Sequence, residues 1–132
     1  MYSALVGAVA ERILPAALRG FAYRAFARAV GANLDEAELA LAEYTSLGDF
    51  FTRKLRHGAR TIDSAADAVV SPCDGAIAAA GVADDGTLVQ AKGRTYRLGE
   101  LLADHELAEQ FHGGSYVTIY LSPRDYHRVH MP

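Results

Sequence analysis

Hydrophobic spacing changes character part-way along this chain, which limits it to folds that keep helices and strands in separate stretches. Residues 1–30 are rich in Ala, Leu and Arg, and Leu14, Leu18, Phe21 and Ala25 recur at helical spacing, with Arg19 pointing away. Pro15 fits a kink or the first turn of a second helix, and Gly31 and Asn33 end the unit. Residues 34–44 are expected to form a short acidic helix, and Ser46 to cap the stretch around Asp49-Phe50-Phe51. After a loop over 57–66 the pattern shifts to short apolar runs at 68–71, 75–82 and 87–91, broken by Pro72, Asp74-Gly75 and Asp85-Gly86. Residues 98–111 return to helical spacing. Residues 115–121 then alternate, with Val117, Ile119 and Leu121 on one face and Tyr116, Thr118 and Tyr120 on the other.

The predicted class is therefore α+β: amino-terminal helices over 1–45, then a mainly antiparallel β domain over 46–132. So few short strands would leave open edges and a partial core. The β domain is thus expected to be incomplete, and the chain to be the front part of a longer one.

Length and charge narrow the partners. A chain of 132 residues with 51% hydrophobic and 22% charged residues can build one modest core and is not expected to be disordered. Cys73 is alone, so no internal disulfide can form. The net charge of −3 conceals an asymmetry: Arg12, Arg19, Arg24 and Arg28 against Glu11 make residues 1–30 basic, and the rest is acidic. A spanning helix needs roughly 20 largely apolar residues, and these arginines interrupt the head before that length. A basic, apolar helix lying on an anionic lipid surface fits the pattern, as does a helix packed on its own domain. No nucleic-acid partner is expected.

Three clusters carry side chains with chemical potential. Ser71-Pro72-Cys73-Asp74-Gly75 is a turn that also presents a carboxylate. Gln90-Ala91-Lys92-Gly93, followed by Tyr96, presents an amine beside a glycine turn. The densest runs from Tyr120 to Pro132 and holds Ser122, Arg124, Asp125, Tyr126, His127, Arg128 and His130 directly after a strand. A metal site there lacks support, because histidines three apart in an extended segment face opposite sides and no third ligand is near. A histidine base with an orienting carboxylate is the better reading, since the carboxylate fixes the tautomer and steadies the imidazolium. Asp74 and Asp125 are both candidates for that carboxylate.

Phe50-Phe51 with Arg53 and Leu55, the Ser71–Gly75 turn, Gln90–Gly93 with Tyr96, Phe111 with Gly113, and above all the block from Tyr120 to Pro132 resemble the bacterial-type phosphatidylserine decarboxylases. The likeness runs in order from about Leu47 to the last residue. It implies a proenzyme that cuts itself at a Gly-Ser bond far downstream and turns the serine into a covalent pyruvoyl cofactor. That group would form a Schiff base with phosphatidylserine, and loss of CO2 would give phosphatidylethanolamine. It implies an Asp-His-Ser triad in which Asp74 and His130 take the first two places, with His127 serving decarboxylation. No Leu-Gly-Ser-Thr-like motif occurs here, and the Gly114-Ser115 bond opens a strand. The pyruvoyl-forming serine is therefore absent and the chain by itself is expected to be inactive.

The partners implied are phosphatidylserine in an anionic membrane, the missing carboxy-terminal small chain, and further copies of the protein. The implied place is peripheral, on the cytoplasmic face of a bacterial inner membrane. A decarboxylase of a related phosphoserine lipid and a non-catalytic lipid-surface module are the alternatives.

Overall fold

The computed structural model describes residues 7–8, 10–83, 87–89 and 94–130. They fall into two compact units, Met1–Asp74 with Leu121–Pro132, and Gly75–Tyr120. Among the described residues helices come first and short antiparallel strands follow, with two further short helices between the last two strands, an α+β arrangement.

The first unit is built around Phe50. Helix α1, Ala16–Val30, begins after Pro15 and ends at Gly31, whose φ of 78° suits glycine and lets its N–H bond to the Ala27 carbonyl. Helix α2, Leu47–Phe51, is capped by Ser46, whose side chain accepts from the Asp49 N–H. The Asp49 carboxylate in turn accepts from the Thr45 N–H at 2.9 Å, a reciprocal cap that fixes this short turn of helix. The Phe50 ring stacks on Tyr23 at 5.3 Å and meets Tyr44 and Phe26 edge-on, while the Arg53 guanidinium lies over it, 5.2 Å from the ring centre. Tyr23, Ala27, Tyr44 and Phe50 form the buried cluster. Leu14 packs against that cluster, whereas Leu18 and Phe21 stay exposed, so the expected apolar stripe divides between core and surface. Arg19 does not point away: its Nε donates to the Leu14 carbonyl at 2.8 Å.

Residues 34–44 are not the expected helix. They form turns joined to residues 54–56: Ala37 bridges Leu55, the Glu38 N–H donates to Lys54 O at 3.0 Å, and the Arg56 N–H donates to Glu36 O at 2.9 Å. Two further N–H groups go to side chains, Leu39 to the Tyr44 hydroxyl and Ala40 to the Glu43 carboxylate. These bonds replace those a helix would make within itself.

In the second unit, β1 (Ala76–Val82) pairs antiparallel with β4 (Ser115–Tyr120), from Ala76 opposite Tyr120 to Val82 opposite Ser115. Gly75 starts the pair with φ 135°, where an added Cβ would lie 2.6 Å from the Tyr120 carbonyl oxygen, so glycine is required. The short strands β2 (Thr87–Val89) and β3 (Thr95–Arg97) pair antiparallel. The helical spacing over 98–111 resolves into α3 (Leu98–Leu102) and α4 (His105–Gln110). They are separated by Ala103 at φ 54° and by Asp104, which caps α4 through the Leu107 N–H. The alternation over 115–121 yields β4, but Val117 is exposed while Tyr116 is half-buried. Tyr116 packs over Gly81 of β1.

Candidate active site

Asp74, His127 and His130 all belong to the first unit. Asp74 is held by Arg60. Nε of Arg60 donates to Oδ1 at 2.9 Å and Nη2 to Oδ2 at 2.5 Å, a two-point grip that fixes the plane of the carboxylate. The same Nη2 donates to Glu36 Oε2 at 3.0 Å, and Nη1 to the Ala59 carbonyl at 2.7 Å. The Arg60 hydrogen bonds hold the Asp74 carboxyl below the usual carboxylate range; partial burial opposes them, and the Tyr126 N–H adds to them. Asp74 and Glu36 in turn raise the Arg60 pKa, so this guanidinium stays charged.

His130 is placed by backbone and phenol. Its N–H donates to the Pro72 carbonyl at 2.8 Å, its ring stacks on Tyr126 at 5.6 Å, and Nε2 lies 3.0 Å from the Tyr126 hydroxyl. Among the described residues its ring bonds to Tyr126 rather than to a carboxylate. Asp74, Tyr126 and His130 nonetheless line one cavity of about 660 Å³, together with Arg60, Cys73 and Arg128.

His127 takes a different place and is not in that lining. Its ring sits 4.0 Å from that of Phe51, and Nδ1 lies 3.1 Å from the Asp125 carbonyl. Arg128, between the two histidines, donates from Nε to the Thr52 carbonyl at 2.7 Å. Asp125 is engaged locally: its Oδ2 accepts from the Ser122 N–H at 2.7 Å and the Ser122 hydroxyl at 2.8 Å, which closes the turn after β4.

Glu36, Arg60, Tyr126 and Arg128 were not singled out from the sequence. Tyr126 and Arg128 lie inside the dense polar block, so local composition pointed near them. Arg60 sits in a stretch read as loop, and nothing local links it to Glu36 or Asp74. Lys92 and the Asp85-Gly86 turn lie outside the described residues. Among the described residues no three or more His, Cys, Asp or Glu side chains are grouped to hold a metal ion.

The family model described as phosphatidylserine decarboxylase matches residues 47–132. The chain is 45% identical over 98% of its length to the phosphatidylserine decarboxylase proenzyme of Myxococcus xanthus, and 47% identical over 98% to that of Acinetobacter baylyi. It is 50% identical over 83% of its length to the proenzyme of Psychrobacter cryohalolentis. The chain spans 46% of the first two relatives and 40% of the third, less than half of each. The match begins at Leu47, on the capped helix that carries Phe50, and takes in Asp74, His127 and His130, so this chain belongs to the phosphatidylserine decarboxylase family.

Proposed function

We propose that this sequence is the amino-terminal portion of a proenzyme that cuts its own backbone and then decarboxylates phosphatidylserine to phosphatidylethanolamine. The observation that carries the reading is the single cavity that the Arg60-held Asp74 and the Tyr126-held His130 both line. His130 is the base that takes the proton of the precursor serine. Asp74, kept ionised by Arg60, supplies the negative charge that favours the imidazolium then formed. His127 serves the later step. With its Nδ1–H donated to the Asp125 carbonyl, Nε2 is the nitrogen left to carry a proton.

A pyruvoyl group, when present, supplies the electron sink for loss of CO2. The described residues offer it proton-handling partners in His130 and Tyr126, with Asp74 as a fixed negative charge. They do not offer its precursor: Ser115 pairs with Val82 at the start of β4, and the Gly114 carbonyl accepts from the Ala83 N–H at 2.8 Å. On this reading the serine lies outside this sequence, on the small chain that completes the enzyme.

Residues 1–45 are the membrane-associating part and 46–132 the start of the decarboxylase domain. Phe21 and Leu18, exposed at 79% and 54% on a helix that also carries Arg24 and Arg28, support a peripheral seat on anionic lipid. Among the described residues no helix is long and apolar enough to cross a membrane.

The test is to express the longer protein bearing this sequence, follow its division into two chains by intact mass, and assay phosphatidylethanolamine formation. The 132-residue chain alone is expected to stay uncut and inactive. Turnover by that chain, or cleavage at Gly114-Ser115, would overturn the reading.

A further inference from the structure

Four side-chain cations line the cavity that holds Asp74 and His130: Lys54, Arg56, Arg60 and Arg128. Arg60 is neutralised by Asp74 and Glu36. The other three make no ion pair among the described residues, and Asp63 is the one further carboxylate in the described lining. Uncompensated like charges around one cavity repel, more strongly where walls such as Leu55, Ile62 and Val70 displace water.

Arg56 and Arg128 are both moored at Nε, to the Ala37 carbonyl at 3.2 Å and the Thr52 carbonyl at 2.7 Å. Mooring at Nε fixes the guanidinium plane and leaves the two terminal nitrogens, the fork that grips an oxyanion. A carboxylate is satisfied by one such fork. A phosphodiester has two non-bridging oxygens directed apart and can take two forks arriving from separate segments. Free phosphate gains nothing from apolar walls, whereas the CH2 groups flanking a phosphodiester can pack on them.

We propose that Arg128 and Arg56 form the binding site for the phosphodiester of a lipid headgroup, beside His130. The lipid part of this inference rests on the function proposed above; the oxyanion part rests on the cavity.

The probes are glycerophosphoserine, glycerophosphoethanolamine and inorganic phosphate, titrated by calorimetry into the 132-residue chain at neutral pH and low salt. Both glycerophosphodiesters should bind, and more weakly as salt rises. Arg128→Gln and Arg56→Gln should each weaken them about tenfold or more, the usual cost of a lost charge-assisted contact. Arg94→Gln, which is not in the described lining of the cavity, should change nothing. Amide spectra check that each variant is folded. Should Arg128→Gln lose structure along with its bond to Thr52, Arg56→Gln and Arg128→Lys decide the matter. Unchanged affinity in the folded variants, no glycerophosphodiester binding, or equal affinity for inorganic phosphate would overturn the site.

The two readings separate in the longer protein. A longer protein that neither cuts itself nor acts on phosphatidylserine, with these affinities intact, removes the enzyme and keeps the oxyanion site. An Arg128→Gln enzyme with normal KM for phosphatidylserine removes the site and keeps the enzyme.

Discussion

Both carboxylate oxygens of Asp74 are gripped by the guanidinium of Arg60, which lies 14 residues earlier in the sequence. Because this grip lowers the Asp74 pKa, its stabilisation is fully present above the unfolded value near 3.9 and is lost as pH falls through the folded value. Arg60 is 40% exposed, so water screens the pair, and Arg60→Gln should cost only about 0.5–1 kcal/mol at neutral pH. Urea unfolding of both proteins at pH 7 and near pH 2.5 checks this. The difference should shrink in acid; an equal difference at both pH values would mean that Arg60 acts through packing.

In the longer protein, Asp74→Asn and His130→Ala should each stop self-cleavage, with losses of about a hundredfold or more in rate. Asp125→Asn should cut, since its carboxylate closes the Ser122 turn instead. Appearance of two chains on a gel is the measurement. Cleavage by Asp74→Asn alongside failure of Asp125→Asn would reverse the assignment.

His127→Ala should cut normally yet lose most phosphatidylethanolamine formation, because its ring packs on Phe51 while that of His130 packs on Tyr126. Mass spectrometry of the small chain and a product assay separate the two steps. Failure at the cut, or full turnover, would refute the division.

Phe50→Ala removes the ring that Tyr23, Tyr44 and Phe26 surround, and is expected to cost about 3–5 kcal/mol. Phe50→Leu should cost less because it leaves a smaller void. Denaturant titration measures both, and a Phe50→Ala loss under 1 kcal/mol would contradict the packing.

Arg24→Gln with Arg28→Gln should weaken binding to anionic vesicles and reduce its dependence on salt, with the fold unchanged. Arg19 is left in place because it braces the Leu14 carbonyl. Vesicle sedimentation at several salt concentrations is the assay. Equal binding of the native chain to neutral and anionic vesicles would rule out the charge-led mode.

What the sequence made legible was local. Ser46 caps the short helix by accepting from the N–H of Asp49 three residues on, Gly31 stops a helix by its own conformational freedom, and the alternation from Ser115 marks a strand whatever surrounds it. Asp104 belongs to the same class: a cap residue inside a helical pattern was a readable sign that 98–111 would split. What escaped was set by distant partners. The helical pattern of 34–44 lost to backbone bonds with 54–56, and the exposure of Val117 depends on what covers its face, which its own spacing does not encode. In the candidate site, the sequence supplied the residue types and the family likeness supplied their grouping. The Arg60 grip joins charges 14 and 24 residues apart, beyond any periodic signal.

The bond from Arg128 to the Thr52 carbonyl ties together residues 76 apart. Closing so long a loop costs chain entropy before any contact repays it, so such contacts form late in folding. Where the proposed self-cleavage depends on this closure, it carries its own timer: a nascent chain cannot cut itself before the segments of Thr52 and Arg128 have met. Pulse-labelled precursor should therefore show a lag before the two chains appear, and a variant that slows this closure should lengthen the lag without lowering the final yield.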